Sequence, residues 1–235
     1  MNRVNYQKKL DKVLAGLEKF PEPGNETIQD DTSRAKEEMQ GGVPTLFLHS
    51  CCAPCSSYVL EYLSVYFEIT VFYYNPNLSF EEEYRKRLEE QKRLIATFNA
   101  EGHRYPIHVL EGDYEPEVFY RTVAGWEDCP EGGERCFRCY ELRLRETAER
   151  AAIGGYDYFA TTLTLSPLKN AGKLNEIGQA LSQEYGVRWL PSDFKKRDGY
   201  KRSIELSAQY QLYRQNYCGC IYSMRHDLNV MKQLE

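Results

Sequence analysis

From residue 43 onward, short apolar runs alternate with longer segments in which apolar residues recur every three or four positions. Short apolar runs are typical of buried strands, and the longer spacing is typical of amphipathic helices. Their regular alternation indicates βαβ units and an α/β fold with a mostly parallel sheet. The pattern predicts strands at 45–49, 69–74, 106–110, 156–161 and 187–190, and helices at 54–64, 79–98, 139–152, 168–185 and 200–215. Ser79 followed by Glu82 predicts a capping box at the second of these helices.

The first 42 residues follow a different pattern. Five apolar residues lie at helical spacing before a polar stretch that contains Pro21 and Pro23: Leu10, Val13, Leu14, Leu17 and Phe20. We therefore expect a helical extension and linker over 1–42, and a single α/β catalytic domain over 43–235.

Length, hydropathy and charge exclude several classes of protein. The 235 residues contain no run of about 18 apolar residues, which excludes a membrane span. The N-terminus has no apolar stretch of the kind that signals export, so a cytoplasmic location is expected. A net charge of -5 argues against a protein that binds nucleic acid over its whole surface, but it allows a local basic site.

Eight cysteines carry most of the chemical information. In a reducing compartment, clustered thiols indicate metal or redox chemistry. Cys129 precedes a turn and is interpreted as a loop cysteine. The other seven form three groups along the chain: Cys51, Cys52 and Cys55; Cys136 and Cys139; Cys218 and Cys220.

Two of these groups lie at helix starts, where exposed backbone N–H groups lower thiol pKa values and favour thiolate ligands. Pro54 marks one start, and we expect the adjacent Cys51 and Cys52 side chains to diverge toward different partners. Four thiolates fit tetrahedral zinc or an iron–sulfur cluster, although the adjacent pair and the long separation are atypical of a zinc knuckle. The Cys218-Gly219-Cys220 segment can form a strained disulfide or bind metal.

The ligand site of an open parallel sheet lies beyond the carboxyl ends of its strands. Three loops are expected to converge there, at 51–55, 112–114 and 161–167. Asp113 and Lys169 are candidates for positioning a substrate or supplying a proton. His49 is interpreted as hydrogen-bonded structure, with metal binding or proton transfer as the alternative.

One basic stretch stands out in this acidic chain. Aromatic residues interleave its cations, a pattern typical of contact with a nucleic-acid backbone, and the alternative is a solvated helix start. The five candidate nucleic-acid-binding residues are Lys195, Lys196, Arg197, Lys201 and Arg202.

Five motifs together resemble the QueH-type epoxyqueuosine reductases: HSCCAPC (49–55), GGERCFRCYELRL (132–144), TTLTLSPLKN (161–170), DFKKRDGY (193–200) and YRQNYCGCIYS (213–223). The resemblance implies a Rossmann-like sheet related to the adenine-nucleotide alpha-hydrolases. It also implies two-electron removal of the epoxide oxygen of epoxyqueuosine at the wobble position of tRNA, with electrons from an unidentified donor. Related PP-loop enzymes carry a phosphate loop after the first strand, and this chain has cysteines there, which disfavours ATP chemistry.

The resemblance further implies a [4Fe-4S] cluster beside a second redox centre. Carried over by position, the cluster ligands are Cys51, Cys52, Cys136 and Cys139. Cys218 and Cys220 match a redox-active pair, and Cys55 matches a further metal ligand with a catalytic role. A second distribution stays open. In it, Cys52, Cys136, Cys139 and one of the C-terminal pair hold the cluster, and Cys51, Cys55 and the remaining thiol bind a single iron.

Two other functions fit the same residues. One is a zinc-stabilised nucleic-acid-binding module without catalysis. The other is a thiol-disulfide redox protein or sensor that acts on proteins. Iron, zinc and sulfide content distinguish the three.

Overall fold

The computed structural model describes residues 4–20, 42–102 and 104–224. Five parallel strands form one sheet in the order β3-β2-β1-β4-β5, which is the order of the first five strands of the Rossmann fold. The predicted α/β fold class is therefore confirmed. The strands are β1 Thr45–His49, β2 Glu68–Tyr73, β3 Ile107–Glu111, β4 Tyr158–Thr161 and β5 Arg188–Trp189.

The helices follow the predicted alternation, with one addition. The eight-residue α4 was not predicted, because so short a helix leaves little periodic signal. None of the described helices is long and apolar enough to cross a membrane. The helices are α1 Tyr6–Leu14, α2 Ala53–Leu63, α3 Glu81–Glu101, α4 Pro116–Val123, α5 Glu134–Ile153, α6 Ala171–Tyr185 and α7 Gly199–Gln209, and a 3₁₀ turn spans Thr162–Leu165.

The inner strands β1, β2 and β4 are largely buried on both faces, which explains their nearly continuous apolar sequences, whereas most of edge strand β3 is exposed. Leu46 and Leu48 of β1 pack into the core that α1, α2 and α3 cover. Phe47, between them, packs into the opposite core against α5 and α6. This alternation fixes the register of β1, because a slip of one residue would exchange the two faces.

Helix α1 packs against the core rather than standing apart from it. Leu10 and Leu14 are buried there, and the Asp11 carboxylate pairs with Arg197 at 2.5 Å. The helix ends at Leu14, earlier than the predicted stripe, although Leu17 still packs on the core from the following turn. Residues 21–41 of the predicted linker lie outside the described residues, and the division at residue 42 stays a prediction.

The predicted capping box at Ser79 is wrong. Helix α3 begins at Glu81 after Phe80, which makes no side-chain capping bond. The Ser79 hydroxyl instead accepts a hydrogen bond from the Ile221 amide at 2.9 Å, and the Ser79 amide donates to the Gly219 carbonyl at 3.1 Å. The residue therefore anchors the C-terminal cysteine segment to the sheet domain.

Gly178 of α6 provides a test of how closely this helix packs on β5. A Cβ atom at this position would lie 2.3 Å from Cδ2 of Trp189. We expect Gly178→Ala to lower the free energy of unfolding by about 1–3 kcal/mol, as overpacking does, measured by urea denaturation. The exposed neighbour Gln179→Ala is the control and should change stability by less than about 0.5 kcal/mol. Equal stability of the two variants would contradict this packing.

Candidate metal centre

Three cysteines meet where β1 ends and α2 begins, and we call Cys51, Cys52 and Cys55 the β1 sulfur group. Their Sγ atoms all lie within 4.8 Å of one another, and those of Cys51 and Cys52 are 3.7 Å apart. Cys52 is the N-cap of α2, with Pro54 in the first turn as expected. The expected divergence of Cys51 and Cys52 is wrong, because the chain turns into the helix between them.

Contacts within the β1 sulfur group favour negative charge on one of its three sulfurs. Hydrogen bonds from Cys52 and Cys55 hold the pKa of the Cys51 thiol well below its usual range, and the nearby Arg143 guanidinium adds to the effect. The donor role raises the pKa of Cys52 to about 12. These contacts favour a thiolate at Cys51, the form in which cysteine binds metal.

Four other cysteines line a second, small cavity, and we call Cys136, Cys139, Cys218 and Cys220 the α5 sulfur group. The first two lie one turn apart on α5, which begins earlier than predicted, and the last two come from the C-terminal loop. The Gly132 amide donates to the Cys136 sulfur at 3.2 Å. All eight cysteines are free thiols.

Charges around the α5 sulfur group favour thiolate at Cys218. A hydrogen bond from Cys220 lowers the pKa of the Cys218 thiol, against the effect of burial, and the Lys169 ammonium 3.2 Å from its sulfur lowers it further. Burial raises the pKa of Cys139 to about 11. Lys169 is itself 8% exposed and pairs with Glu131 at 3.1 Å.

Arg143 lies between the two sulfur groups and lines both cavities. Its Nη1 donates to Asn77 Oδ1 at 2.6 Å and lies 4.0 Å from the Cys139 sulfur. Its buried Nε and Nη2 find no hydrogen-bond partner among the described residues. A buried cation with unsatisfied donors requires negative charge nearby, so this cavity fits a thiolate-ligated, anionic metal centre.

A cleft of about 460 Å³ opens beside both sulfur groups. Cys51 and Cys55 line it from the β1 sulfur group, and Cys218 lines it from the α5 sulfur group. A molecule bound in this cleft can therefore reach sulfurs of both groups. The other charged and aromatic side chains that line it include Arg87, Glu131, Arg143, Lys169, Tyr200, Arg214 and Tyr217.

The predicted convergence of three strand-end loops is correct for two of them. The loops after β1 and β4 both reach the cleft, and Lys169 lies there as expected. Asp113, after β3, instead forms an exposed ion pair with Arg150 at 3.4 Å. β3 is the edge strand, so its loop lies too far from β1. The loop after β2 contributes instead, through Asn77 beside Arg143.

His49 is structural, as interpreted from the sequence. Its Nε2 lies 3.1 Å from the Tyr74 carbonyl and its Nδ1 lies 2.8 Å from the Thr161 hydroxyl. Because a carbonyl only accepts, Nε2 carries the proton and Nδ1 accepts from Thr161. Burial, with Arg143 nearby, lowers the pKa of His49 to about 3, so the ring stays neutral and joins the ends of three strands.

The predicted basic run does not line the cleft, although Tyr200 within it does. Arg197 and Arg202 pair with Asp11 and Glu61 at 2.5 and 2.6 Å, and so hold α1 and α2. Among the residues that the structure describes, no carboxylate pairs with Lys196 or Lys201, which are exposed. Lys195 pairs with Asp193 at 3.0 Å.

Three functional side chains were missed from the sequence: Arg87, Asn77 and Arg143. Arg87 is 2% exposed and donates to the Cys218 carbonyl at 3.3 Å. Arg143 had a readable signal, because it follows Cys139 by four residues on one helix, a spacing that places both on one face. Cys129 lies in the turn before α5 and lines neither cavity.

A family model described as "Epoxyqueuosine reductase QueH" matches residues 46–226, which include all eight cysteines. This chain belongs to the QueH family. The resemblance seen in the five motifs is confirmed.

Named QueH relatives cover most of the chain. The epoxyqueuosine reductase QueH of Streptococcus pyogenes serotype M1 is 39% identical over 216 residues, which is 92% of this chain and 84% of that protein. The Staphylococcus aureus QueH is 40% identical over 223 residues, 94% and 84% of the two chains. Among solved structures, the U34-tRNA thiolase NcsA from Methanococcus maripaludis with its [4Fe-4S] cluster has a TM-score of 0.47 and 12% identity, covering 78% of this chain and 62% of that one.

Gly219 provides a test of how this QueH chain holds its C-terminal sulfurs. Its φ is +109°, and a Cβ atom there would lie 2.1 Å from Cδ2 of Leu78. We expect Gly219→Ala to displace the loop and to make Cys220, 8% exposed, react faster with a thiol reagent in metal-free protein. Gly155→Ala is the control, because its φ is also positive, at +69°, and nothing lies within 4 Å. Unchanged thiol reactivity in Gly219→Ala would contradict the loop geometry.

Proposed function

We propose that this member of the QueH family reduces epoxyqueuosine to queuosine at the wobble position of tRNA. The observation that carries the proposal is that two separate sulfur groups reach one cleft. Removal of the epoxide oxygen breaks two C–O bonds, forms an alkene and one water, and consumes two electrons and two protons. An external reductant supplies the electrons, and an iron–sulfur cluster ordinarily passes one electron at a time, so a second redox centre beside it suits the two-electron reaction.

The grouping of the sulfurs supports a particular distribution of metal. Four thiols around one cavity, the α5 sulfur group, match the ligand number of a [4Fe-4S] cluster. Three thiols in the β1 sulfur group, two of them open to the cleft, suit a single iron with a free coordination position. When bound, the two groups would supply single electrons and a Lewis acid for the epoxide oxygen.

This distribution differs from the one that the resemblance implied and from the second one that the sequence left open. Cys51 and Cys52, carried over as cluster ligands, lie with Cys55 instead. Cys218 and Cys220, carried over as a redox pair, line the same cavity as Cys136 and Cys139. We therefore place the C-terminal pair among the cluster ligands.

The cleft also offers groups that suit a nucleotide. Tyr200 is 38% exposed at its rim, and Tyr217 packs on Arg87 with 5.3 Å between the guanidinium carbon and the ring centre. Aromatic rings bind unstacked bases, and a cation such as the exposed Arg214 suits a phosphate. The modified base would enter here from the anticodon loop.

Metal analysis of anaerobically purified protein tests the proposal. We expect about five irons and about four acid-labile sulfides per chain. Cys55→Ser should lose about one iron and no sulfide, and Cys218→Ser should lose both iron and sulfide. Cys129→Ser is the control and should change neither.

Three other results would overturn parts of this proposal. Loss of sulfide in Cys51→Ser with retention in Cys218→Ser would restore the distribution in which Cys51 is a cluster ligand. Zinc without sulfide would indicate the zinc-stabilised module, and metal-free protein with titratable thiols would indicate the thiol-disulfide protein.

Binding of tRNA should depend on Lys196 and Lys201, the cations of the basic run without a carboxylate partner among the described residues. We expect Lys196→Gln with Lys201→Gln to reduce the slope of log affinity against log salt by about 1.4. The matched control is Arg197→Gln with Arg202→Gln, which should leave the slope unchanged and cost at most about 1 kcal/mol of stability per ion pair. An unchanged slope in the lysine variant would indicate that the basic run is a solvated helix start and not a nucleic-acid contact.

A further inference from the structure

We propose that Arg143 is the shared counter-ion of the two sulfur groups, a positioning residue that retains the metal cluster and sets how easily it accepts an electron. The inference rests on the proposed function, because it assumes a cluster in the α5 sulfur group.

Geometry places Arg143 where it can act on both groups. It is 2% exposed and belongs to the walls of both cavities. One nitrogen bonds Asn77, and Nε and Nη2 have no partner among the described residues. Among the described residues, no carboxylate forms an ion pair with Arg143, and the groups that raise its pKa are the thiolates of Cys139, Cys218 and Cys51 and the phenol of Tyr140.

The electrostatic influence of Arg143 reaches sulfurs of both groups. Burial opposes its charge, yet the thiolates of Cys139, Cys218 and Cys51 raise its pKa above the usual value. Nη1 of Arg143 lies 4.0 Å from the Cys139 sulfur of the α5 sulfur group, and Arg143 shares the wall of the cleft with Cys51 of the β1 sulfur group. A single cation thus lies beside sulfurs of both groups.

A redox consequence follows from this position. Reduction of a cluster adds one negative charge beside the guanidinium, and a nearby cation makes that step more favourable. Without Arg143, the reduced state loses this stabilisation and the midpoint potential falls. A cation bound at the β1 sulfur group would act on the cluster in the same way as the guanidinium. Binding of that cation and reduction of the cluster would therefore favour each other.

The experiment compares Arg143→Met, which removes the charge, with Arg143→Lys, which keeps it. Arg150→Met is the matched control, because Arg150 lies on the same helix but forms surface ion pairs with Glu146 and Asp113. Iron and sulfide per chain, the midpoint potential from an anaerobic redox titration followed by absorbance, and urea denaturation of the metal-free protein are measured for each.

We expect Arg143→Met to bind less iron and sulfide than wild type, and its remaining cluster to have a more negative midpoint potential. The metal content and midpoint potential of Arg143→Lys should lie between those of Arg143→Met and wild type. Arg150→Met should match wild type in both quantities. The metal-free Arg143→Met protein should be at least as stable as wild type, because an incompletely paired buried charge destabilises the fold.

Two results would overturn the inference alone. One is wild-type cluster content and midpoint potential in Arg143→Met. The other is an equal loss of metal in the Lys and Met variants together with reduced stability of both metal-free proteins, which would assign Arg143 a purely structural role. Wild-type protein without iron and sulfide would overturn the proposed function itself, and the inference with it.

Discussion

A guanidinium buried away from water must find negative charge, and this requirement organises the centre of the molecule. Arg143 donates to the neutral amide of Asn77 from the loop after β2, and among the described residues the anionic groups that act on it most strongly are sulfurs. Those sulfurs come from β1, α5 and the C-terminal loop, so three distant parts of the chain are tied to one cation. The sheet sets where these sulfurs lie, and the buried charge of Arg143 favours anionic ligands such as thiolates at those positions.

The parallel sheet explains why so few elements build the site. Strands β1 and β4 are neighbours at the centre of the sheet, and their loops carry Cys51 and Lys169 to one edge. His49 locks the ends of β1, β2 and β4 together by two hydrogen bonds, which leaves the following cysteines on a rigid base. Edge strand β3 is excluded from this arrangement, and its loop carries a surface ion pair instead.

The strands and the long helices could be predicted from the sequence because their apolar periodicity reports burial directly. Contacts between distant segments could not. Ser79 has the local signature of a capping box, yet its hydroxyl bonds the amide of Ile221, 142 residues away along the chain. Spacing also identified the seven clustered cysteines, but it did not show that the Cys51 and Cys52 sulfurs lie together, 3.7 Å apart, or that the C-terminal pair lies with those of α5. In the basic run, Arg197 and Arg202 are engaged by carboxylates from α1 and α2, a choice that composition does not reveal.

The anchoring of the C-terminal segment has a consequence for how the centre is assembled. Residues 210–220 lie outside helices and strands, and side chains along α3 hold their backbone. Arg93 bonds the Tyr210 carbonyl, Glu90 accepts from the Tyr213 amide, and Arg87 bonds the Cys218 carbonyl. Local opening would carry away Cys218 and Cys220 together and leave Cys136 and Cys139 in place on α5. Half of the α5 sulfur group therefore depends on side chains of α3 for its position, although neither cysteine pair belongs to that helix.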